Sequence, residues 1–271
     1  MTEIKLLALD LDGTLLNSDK QISIENQKAL RAARDKGVKV VLTTGRPLAA
    51  IGDFLEELDL VHEDEFAITF NGGLIQRNTG EILDKVTFGY EEVKAIKALT
   101  DELGLSLDLL DDGDVYALHS PVPTLYPTCN ASLNHMPTAF EELDPKQTFN
   151  KAVSSCESDL IDRQLPNIPQ SFHDRFEIFK SRAIILEWNP KGVHKANGLA
   201  SLISILGLKQ EEVMACGDEA NDMSMVKWAG YGVAMGNATD ELKAAADIVT
   251  PMTNDEDAVA WAVKTYILKE D

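Results

Sequence analysis

The chain has 271 residues, of which 44% are apolar and 26% charged, and it carries a formal net charge of −20 at pH 7. That length supports a sizeable buried core and exceeds what one simple domain needs. The negative field repels nucleic acid and anionic membrane, and no stretch reaches the roughly 18 uninterrupted apolar residues of a membrane span, so neither is an expected partner.

The first 80 or so residues alternate short apolar runs with helical patterns, the βαβα signature of a parallel sheet. Ile4 to Leu9 reads as a buried strand. Ser23 can cap a helix whose apolar positions run through Ala29, Leu30 and Ala33 to a stop at Gly37. Val38 to Thr43, rich in β-branched residues, reads as a second strand, and Pro47 suits the first turn of a helix running to about Leu58. Phe66 to Phe70 reads as a third strand, closed by a tight turn at Asn71-Gly72-Gly73.

The middle differs. Asn78-Thr79-Gly80 and Asp111-Asp112-Gly113-Asp114 are hairpin signals between apolar runs, with a helical pattern from Glu91 to Leu103 between them. Prolines crowd at 121, 123, 127 and 137, and strands are expected at Phe149 to Cys156, Phe176 to Phe179 and Ala183 to Trp188. From Gly192 the α/β pattern returns, with helices at Val193 to Leu206, Asn221 to Trp228 and Glu241 to Ala246. Strands fall at Val213 to Cys216, Tyr231 to Ala234 and Ile248-Val249, and a final helix at Asp255 to Leu268. These patterns predict one α/β core, residues 1–84 and 190–271, interrupted by an inserted α+β domain over 85–189.

Four segments carry chemistry. Asp10-Leu11-Asp12-Gly13-Thr14 sits where the first strand ends, and open parallel sheets bind ligands outside the carboxyl ends of their strands. With Gly13 breaking the strand, both carboxylates can reach a common point beyond it. Leu42-Thr43-Thr44-Gly45-Arg46-Pro47 ends the second strand, offering the Thr44 hydroxyl and the N–H groups of Thr44 and Gly45 at an expected helix start that attracts phosphate oxygens. Arg46 has no firm role on this reading. Lys195 opens a helix, where the dipole prefers anions, so nearby carboxylates or phosphate must compensate it. Gly217-Asp218-Glu219-Ala220-Asn221-Asp222 follows a strand and supplies the hard oxygen ligands that Mg²⁺ takes in octahedral geometry.

Other polar residues point to less. Cys129, Cys156 and Cys216 show no CxxC pairing, and an odd count argues against a disulfide framework; Cys216 reads as a small core residue. With no basic n-region or cleavage site at the N-terminus, a reduced, cytoplasmic setting is expected. The five histidines lack HExxH spacing, which argues against zinc.

In this order the four segments resemble the haloacid dehalogenase-like (HAD) superfamily, and the insertion resembles the large α/β cap of its Cof-type branch. VVLTTGRP, FNGGLI and GDEANDMSM resemble the corresponding segments of bacterial sugar phosphatases of that branch. The resemblance implies a Rossmann-like core with a parallel sheet and a cap that sets substrate choice. It implies that Asp10 is a covalent nucleophile and Mg²⁺ ligand, that Asp12 is the general acid/base with its carbonyl on the metal, and that Asp218 is the remaining protein ligand. Leu11 (backbone), Thr44, Gly45, Lys195 and Asn221 match phosphate-contacting positions, and Asp222 a supporting carboxylate. Ala196 departs from the glycine usual after the lysine.

The expected activity is Mg²⁺-dependent hydrolysis of a small phosphorylated metabolite, a sugar phosphate, by a monomer or homodimer. A sugar phosphomutase has a related core and cap, and a binding protein with a relic site would have lost one of Asp10, Asp12, Lys195 or Asp218, all of which are present. Glu187, near the return to the core, is a candidate for leaving-group contact or for a structural ion pair.

Overall fold

A computed structural model describes residues 2–131 and 133–270. The chain runs β1 (Leu6–Leu9), α1 (Ile24–Asp35), β2 (Lys39–Thr43), α2 (Gly52–Glu57), β3 (Phe66–Thr69), β4 (Leu74–Arg77) and β5 (Ile82–Lys85). It continues through α3 (Tyr90–Leu103), β6 (Leu107–Asp111), β7 (Asp114–Leu118), α4 (Tyr126–Cys129), β8 (Asn134–Thr138) and β9 (Lys151–Ser155). Then come α5 (Ser158–Gln164), α6 (Gln170–His173), β10 (Phe176–Arg182) and β11 (Ile185–Pro190). The last part holds α7 (Lys195–Leu206), β12 (Val213–Gly217), α8 (Met223–Trp228), β13 (Tyr231–Ala234), α9 (Asp240–Ala245), β14 (Ile248–Val249) and α10 (Ala258–Val263).

The chain divides into two compact units. The first comprises Met1–Arg46, Ile51–Asp84 and His194–Asp271; the second comprises Pro47–Ala50 and Lys85–Val193. The segment Asn189 to Val193 stays with the second unit because Gly192 donates its N–H to Glu177 and Val193 donates to the Pro190 carbonyl.

The first unit is built on an eight-stranded sheet in the order β14-β13-β12-β1-β2-β3-β4-β5. β1 lies at its centre, parallel to β12 on one side and β2 on the other. All four residues of β1 are fully buried. A strand covered on both faces must be apolar throughout, as LLAL is, and each buried leucine contributes about 2 kcal/mol. Parallel pairing runs from β14 to β3, and β3 then turns back antiparallel into β4. The common direction brings the C-terminal ends of β1, β2 and β12 to one edge of the sheet. α7 and α8 pack on one face, where Leu199, Leu202, Met225 and Val226 meet Leu6, Ala8, Val213 and Ala215.

The second unit has a six-stranded, mainly antiparallel sheet in the order β10-β11-β9-β6-β7-β8. Phe88, Ile96, Phe149, Phe176 and Trp188 lie in its core.

Two helices differ from the sequence reading. The segment after Pro47 is a short 3₁₀ turn at Leu48–Ala50 followed by α2, because Ile51 adopts φ −128° and ψ 1°, outside the helical range. The last helix starts at Ala258 rather than Asp255, since Asp257 takes a left-handed φ of 63° that helices do not accommodate, and it ends in a π turn over Lys264–Leu268.

Candidate active site

Asp10 is the first residue beyond β1. Its N–H still donates to the Cys216 carbonyl at 3.1 Å, so the neighbouring strand fixes its backbone after regular pairing has ended. Three residues on, the chain turns at Gly13, whose φ is +82°. A Cβ there would lie 2.1 Å from Oδ2 of Asp218, so the turn needs glycine both for its conformation and for this close approach. Thr14 is fully buried and donates its hydroxyl to Oδ1 of Asp218 at 2.8 Å. Asn237 closes the turn from the opposite side by donating Nδ2 to the Gly13 carbonyl at 2.8 Å.

Lys195 is the first residue of α7, and His194 caps that helix by accepting the Asn197 N–H on Nδ1 at 3.3 Å. Lys195 is completely buried, and its Nζ donates to Oδ1 of Asp10 at 2.5 Å and to Oδ1 of Asp222 at 2.6 Å. These two carboxylates compensate a cation placed at the wrong end of a helix dipole. Asp222 is held in turn by its other oxygen, which accepts the N–H groups of Asp218 at 3.0 Å and Glu219 at 3.1 Å. It organises the loop as well as pairing with Lys195. Gly217 makes room for it, since a Cβ there would come within 2.4 Å of the Asp222 Cβ.

One carboxylate oxygen from each of Asp10, Asp218 and Asp222 lies within 4.8 Å of the others. Burial, then the charge of Asp222, pushes Asp10 up to about 7 despite Lys195. Burial, then Asp10 and Asp222, pushes Asp218 up to about 8, with the Thr14 hydroxyl pulling the other way. Burial opposes the charge on Lys195, yet the two carboxylates hold its pKa above the ordinary lysine value. One ammonium among three carboxylates leaves surplus negative charge in a confined space. Oδ2 of Asp10 and Oδ2 of Asp218 accept no protein hydrogen bond among the described residues. Hard oxygen donors with spare lone pairs and surplus negative charge fit a divalent cation of the Mg²⁺, Mn²⁺ or Ca²⁺ kind. Burial and Asp222 push the neighbouring Cys216 thiol up to about 12, which suits an inert core residue.

The Asp12 side chain lies outside this group of three. Arg46 grips both its oxygens, with Nη2 at 2.7 Å and Nε at 3.0 Å from Oδ2, and Lys20 reaches Oδ1 at 2.9 Å. Thr44 follows β2 directly. Its N–H donates to the Ile68 carbonyl at 2.9 Å and its Oγ1 accepts from the Arg46 N–H at 3.2 Å, so the donor Thr44 can offer a ligand is its hydroxyl. No helix begins there, because the first regular helix after β2 starts at Gly52; the expected helix N-terminus at Thr44-Gly45 is therefore corrected. Gly45 instead lies against Asn71, which holds a left-handed φ of 57° and donates its N–H to the Thr44 carbonyl at 2.9 Å. Leu11 is buried, with its carbonyl accepting the Leu16 N–H at 2.8 Å, and Asn221 is half-buried in the turn Ala220–Asp222. Glu187, in the second unit, is buried and paired with Lys151 at 2.9 Å.

Sequence reasoning passed over Thr14, Lys20, Asn71 and Asn237, and left Arg46 without a role. Thr14 stands inside the DLDGT segment and could have been read as a partner for a distant carboxylate. Asn237 lies 224 residues from the carbonyl it binds, and no local pattern announces it.

The model of the haloacid dehalogenase-like hydrolase family matches residues 7–263. The chain belongs to the haloacid dehalogenase-like hydrolases. With that membership it is an enzyme, and several of its relatives are phosphatases by name. The hydrolase is 36% identical over 266 residues to the 5-amino-6-(5-phospho-D-ribitylamino)uracil phosphatase YcsE of Bacillus subtilis, covering 98% of this chain and 97% of that protein. It superposes on a haloacid dehalogenase-like hydrolase from Bacteroides thetaiotaomicron with a TM-score of 0.84 and 32% identity, over 97% of this chain and 99% of the other. A second solved structure, the HAD subclass IIB sugar phosphatase BT4131, gives a TM-score of 0.82 and 30% identity over 97% and 98% of the two chains. No helix of the hydrolase among the described residues is long and apolar enough to cross a membrane.

Proposed function

We propose that this hydrolase is a Mg²⁺-dependent phosphatase of small phosphate monoesters, sugar phosphates foremost, working through a phosphoryl group carried on Asp10. The observation that carries the reading is the convergence of Asp10, Lys195, Asp218 and Asp222, from three distant parts of the chain, on one buried point.

Asp10 and Asp218 would hold the cation through side-chain oxygens, joined by the Asp12 carbonyl, with Asp222 supporting the loop that presents Asp218. When bound, the ion screens the repulsion between a carboxylate and an anionic phosphoryl group and stabilises charge on the transferring oxygens. Lys195 orients Asp10 through Oδ1 and adds a buried positive charge beside the phosphoryl position. Thr44 (through its hydroxyl), Gly45, Asn221 and the Leu11 backbone would hold the phosphate oxygens.

In the first step an Asp10 oxygen forms a bond to phosphorus as the bond to the ester oxygen breaks, and Asp12 gives its proton to the departing alkoxide. In the second, Asp12 takes a proton from water as the water oxygen bonds to phosphorus. The bond from phosphorus to Asp10 then breaks, freeing phosphate and restoring the carboxylate. Splitting one difficult displacement into two is the gain of covalent catalysis, and acid–base help adds about 10²–10⁴-fold.

The sugar-phosphate reading draws support from two relatives, a sugar phosphatase and a phosphatase of a ribityl compound, both of whose named substrates carry several hydroxyl groups. The test is a panel of phosphorylated metabolites assayed for released phosphate with and without Mg²⁺. Turnover should need the metal, favour phosphorylated polyols and sugars, and vanish in Asp10→Asn. Full activity in that variant would refute the covalent route, and isomer interconversion without phosphate release would indicate a mutase.

A further inference from the structure

The steps above give Arg46 nothing to do, although it makes the best-formed ion pair on the Asp12 carboxylate. Its Nη2 lies 2.7 Å from both Asp12 oxygens and its Nε 3.0 Å from Oδ2. The pair is mostly shielded, with side chains 22% and 26% exposed. Lys20 adds a further contact, to Oδ1, but its side chain is 59% exposed and its pull is screened by water.

Arg46 is itself tied down. Its N–H donates to Thr44 Oγ1 at 3.2 Å, directly after β2, and its guanidinium carbon stands 6.0 Å from the centre of the Phe54 ring. An aspartate on a turn has a free χ1 and a broad χ2, so nothing in its own backbone fixes the plane of its carboxylate. A planar guanidinium that meets both oxygens fixes position and plane together, which an ammonium cannot do. The direction of the Asp12 carboxylate is thereby set by β2, from 34 residues away, rather than by the loop that carries it.

We propose that Arg46 is the positioning residue for Asp12: it aims the carboxylate that handles the leaving-group and water protons, without touching phosphate itself. The orientation of its fork supports this, because Nε and Nη2 are both engaged by Asp12. The proposal rests on the reading of Asp12 as general acid and base.

Leaving-group chemistry separates positioning from a structural role. p-Nitrophenolate departs without a proton, so phosphorylation of Asp10 by p-nitrophenyl phosphate does not need Asp12, whereas attack of water on the phosphoryl-enzyme does. Rapid mixing of Arg46→Gln with p-nitrophenyl phosphate and Mg²⁺ should give a burst of about one p-nitrophenolate per chain near the wild-type phosphorylation rate. Steady turnover should then be slower than wild type by about 10–100-fold, part of the full acid–base factor. With glycerol phosphate, whose alkoxide needs the proton, both phases should slow. Arg46→Lys should fall between, and added guanidinium should restore part of the turnover of Arg46→Gln.

Burst and turnover falling together in Arg46→Gln with p-nitrophenyl phosphate would overturn the proposal in favour of phosphate binding or folding, and unchanged kinetics would reduce the pair to a surface contact. Asp12→Asn serves as the reference. If it shows a burst without turnover and Arg46→Gln does not, the positioning role alone fails. If it turns over p-nitrophenyl phosphate normally, the reading of Asp12 fails and takes the proposal with it.

Discussion

The buried carboxylates make cation binding by this hydrolase a proton-coupled event whose size follows from the site. Without metal, Asp10 is pushed up to about 7 and Asp218 to about 8, mainly by burial and then by neighbouring carboxylates. A divalent ion takes both as anions, so it must displace any proton they hold. Above about pH 8 neither holds one and affinity should be flat. Between about pH 8 and 7 one proton is displaced and affinity should fall about tenfold per unit; below about pH 7 two are displaced and it should fall about a hundredfold per unit. From pH 8 to pH 6 the loss is about a thousandfold, or about 4 kcal/mol. Calorimetric Mg²⁺ titration in buffers of different ionisation enthalpy counts the protons directly: close to two released near pH 6 and close to none near pH 9. Asp218→Asn should release one fewer. An affinity independent of pH, with no proton released, would mean that Lys195 alone keeps both carboxylates ionised, and the electrostatic argument would fail.

Three further outcomes follow from the same structure. Lys195→Met leaves Asp10 and Asp222 buried without their cation, so metal-free stability near pH 8 should drop by about 3–5 kcal/mol in urea denaturation, with a smaller drop near pH 4, where Asp10 is protonated. Asp108, fully buried in β6 of the second unit, is pushed up to about 7 by burial, against the pull of the Thr124 hydroxyl. Its raised value favours the protonated folded form, so the wild-type chain loses stability as pH rises from about 4 to about 7; Asp108→Asn should match it near pH 4 and be more stable above pH 7 by up to about 4 kcal/mol, read from paired denaturation curves. Gly13→Ala places a Cβ 2.1 Å from Asp218 Oδ2 on a left-handed backbone, so it should cost about 1–2 kcal/mol of conformational strain and, by displacing Asp218, weaken Mg²⁺ binding in the same calorimetric titration.

The gathering of Asp10, Lys195, Asp218 and Asp222 was legible in the sequence because each stands at the end of a strand or the start of a helix, and such ends leave local marks. LLAL before Asp10 and VMACG before Asp218 are apolar runs that can only be buried strands, and parallel order brings their ends together. The lysine at the head of α7 announced its need for anions through the helix dipole alone. The surroundings of Asp12 left no such mark. Arg46 is separated from it by α1 and β2, and TTGRP reads as an ordinary strand exit until the fold shows where its side chain turns. The helix expected after Pro47 failed for a comparable reason: Ile51 leaves helical geometry although the apolar spacing of the segment suits a helix. Interactions set by neighbours in space, such as Asn237 on Gly13 or Asn71 beside Gly45, have no period to read.

The central claim is that Asp10 carries the phosphoryl group, and one turnover in water enriched in heavy oxygen isolates the mechanism. Water attacking phosphorus in the second step places the label in the released phosphate and leaves the Asp10 carboxylate unlabelled, while acid-quenched enzyme, digested and weighed, shows one added phosphoryl group on the peptide bearing Asp10. Labelled phosphate formed at full rate with no phosphorylated peptide, or with the phosphoryl group on another residue, would contradict it.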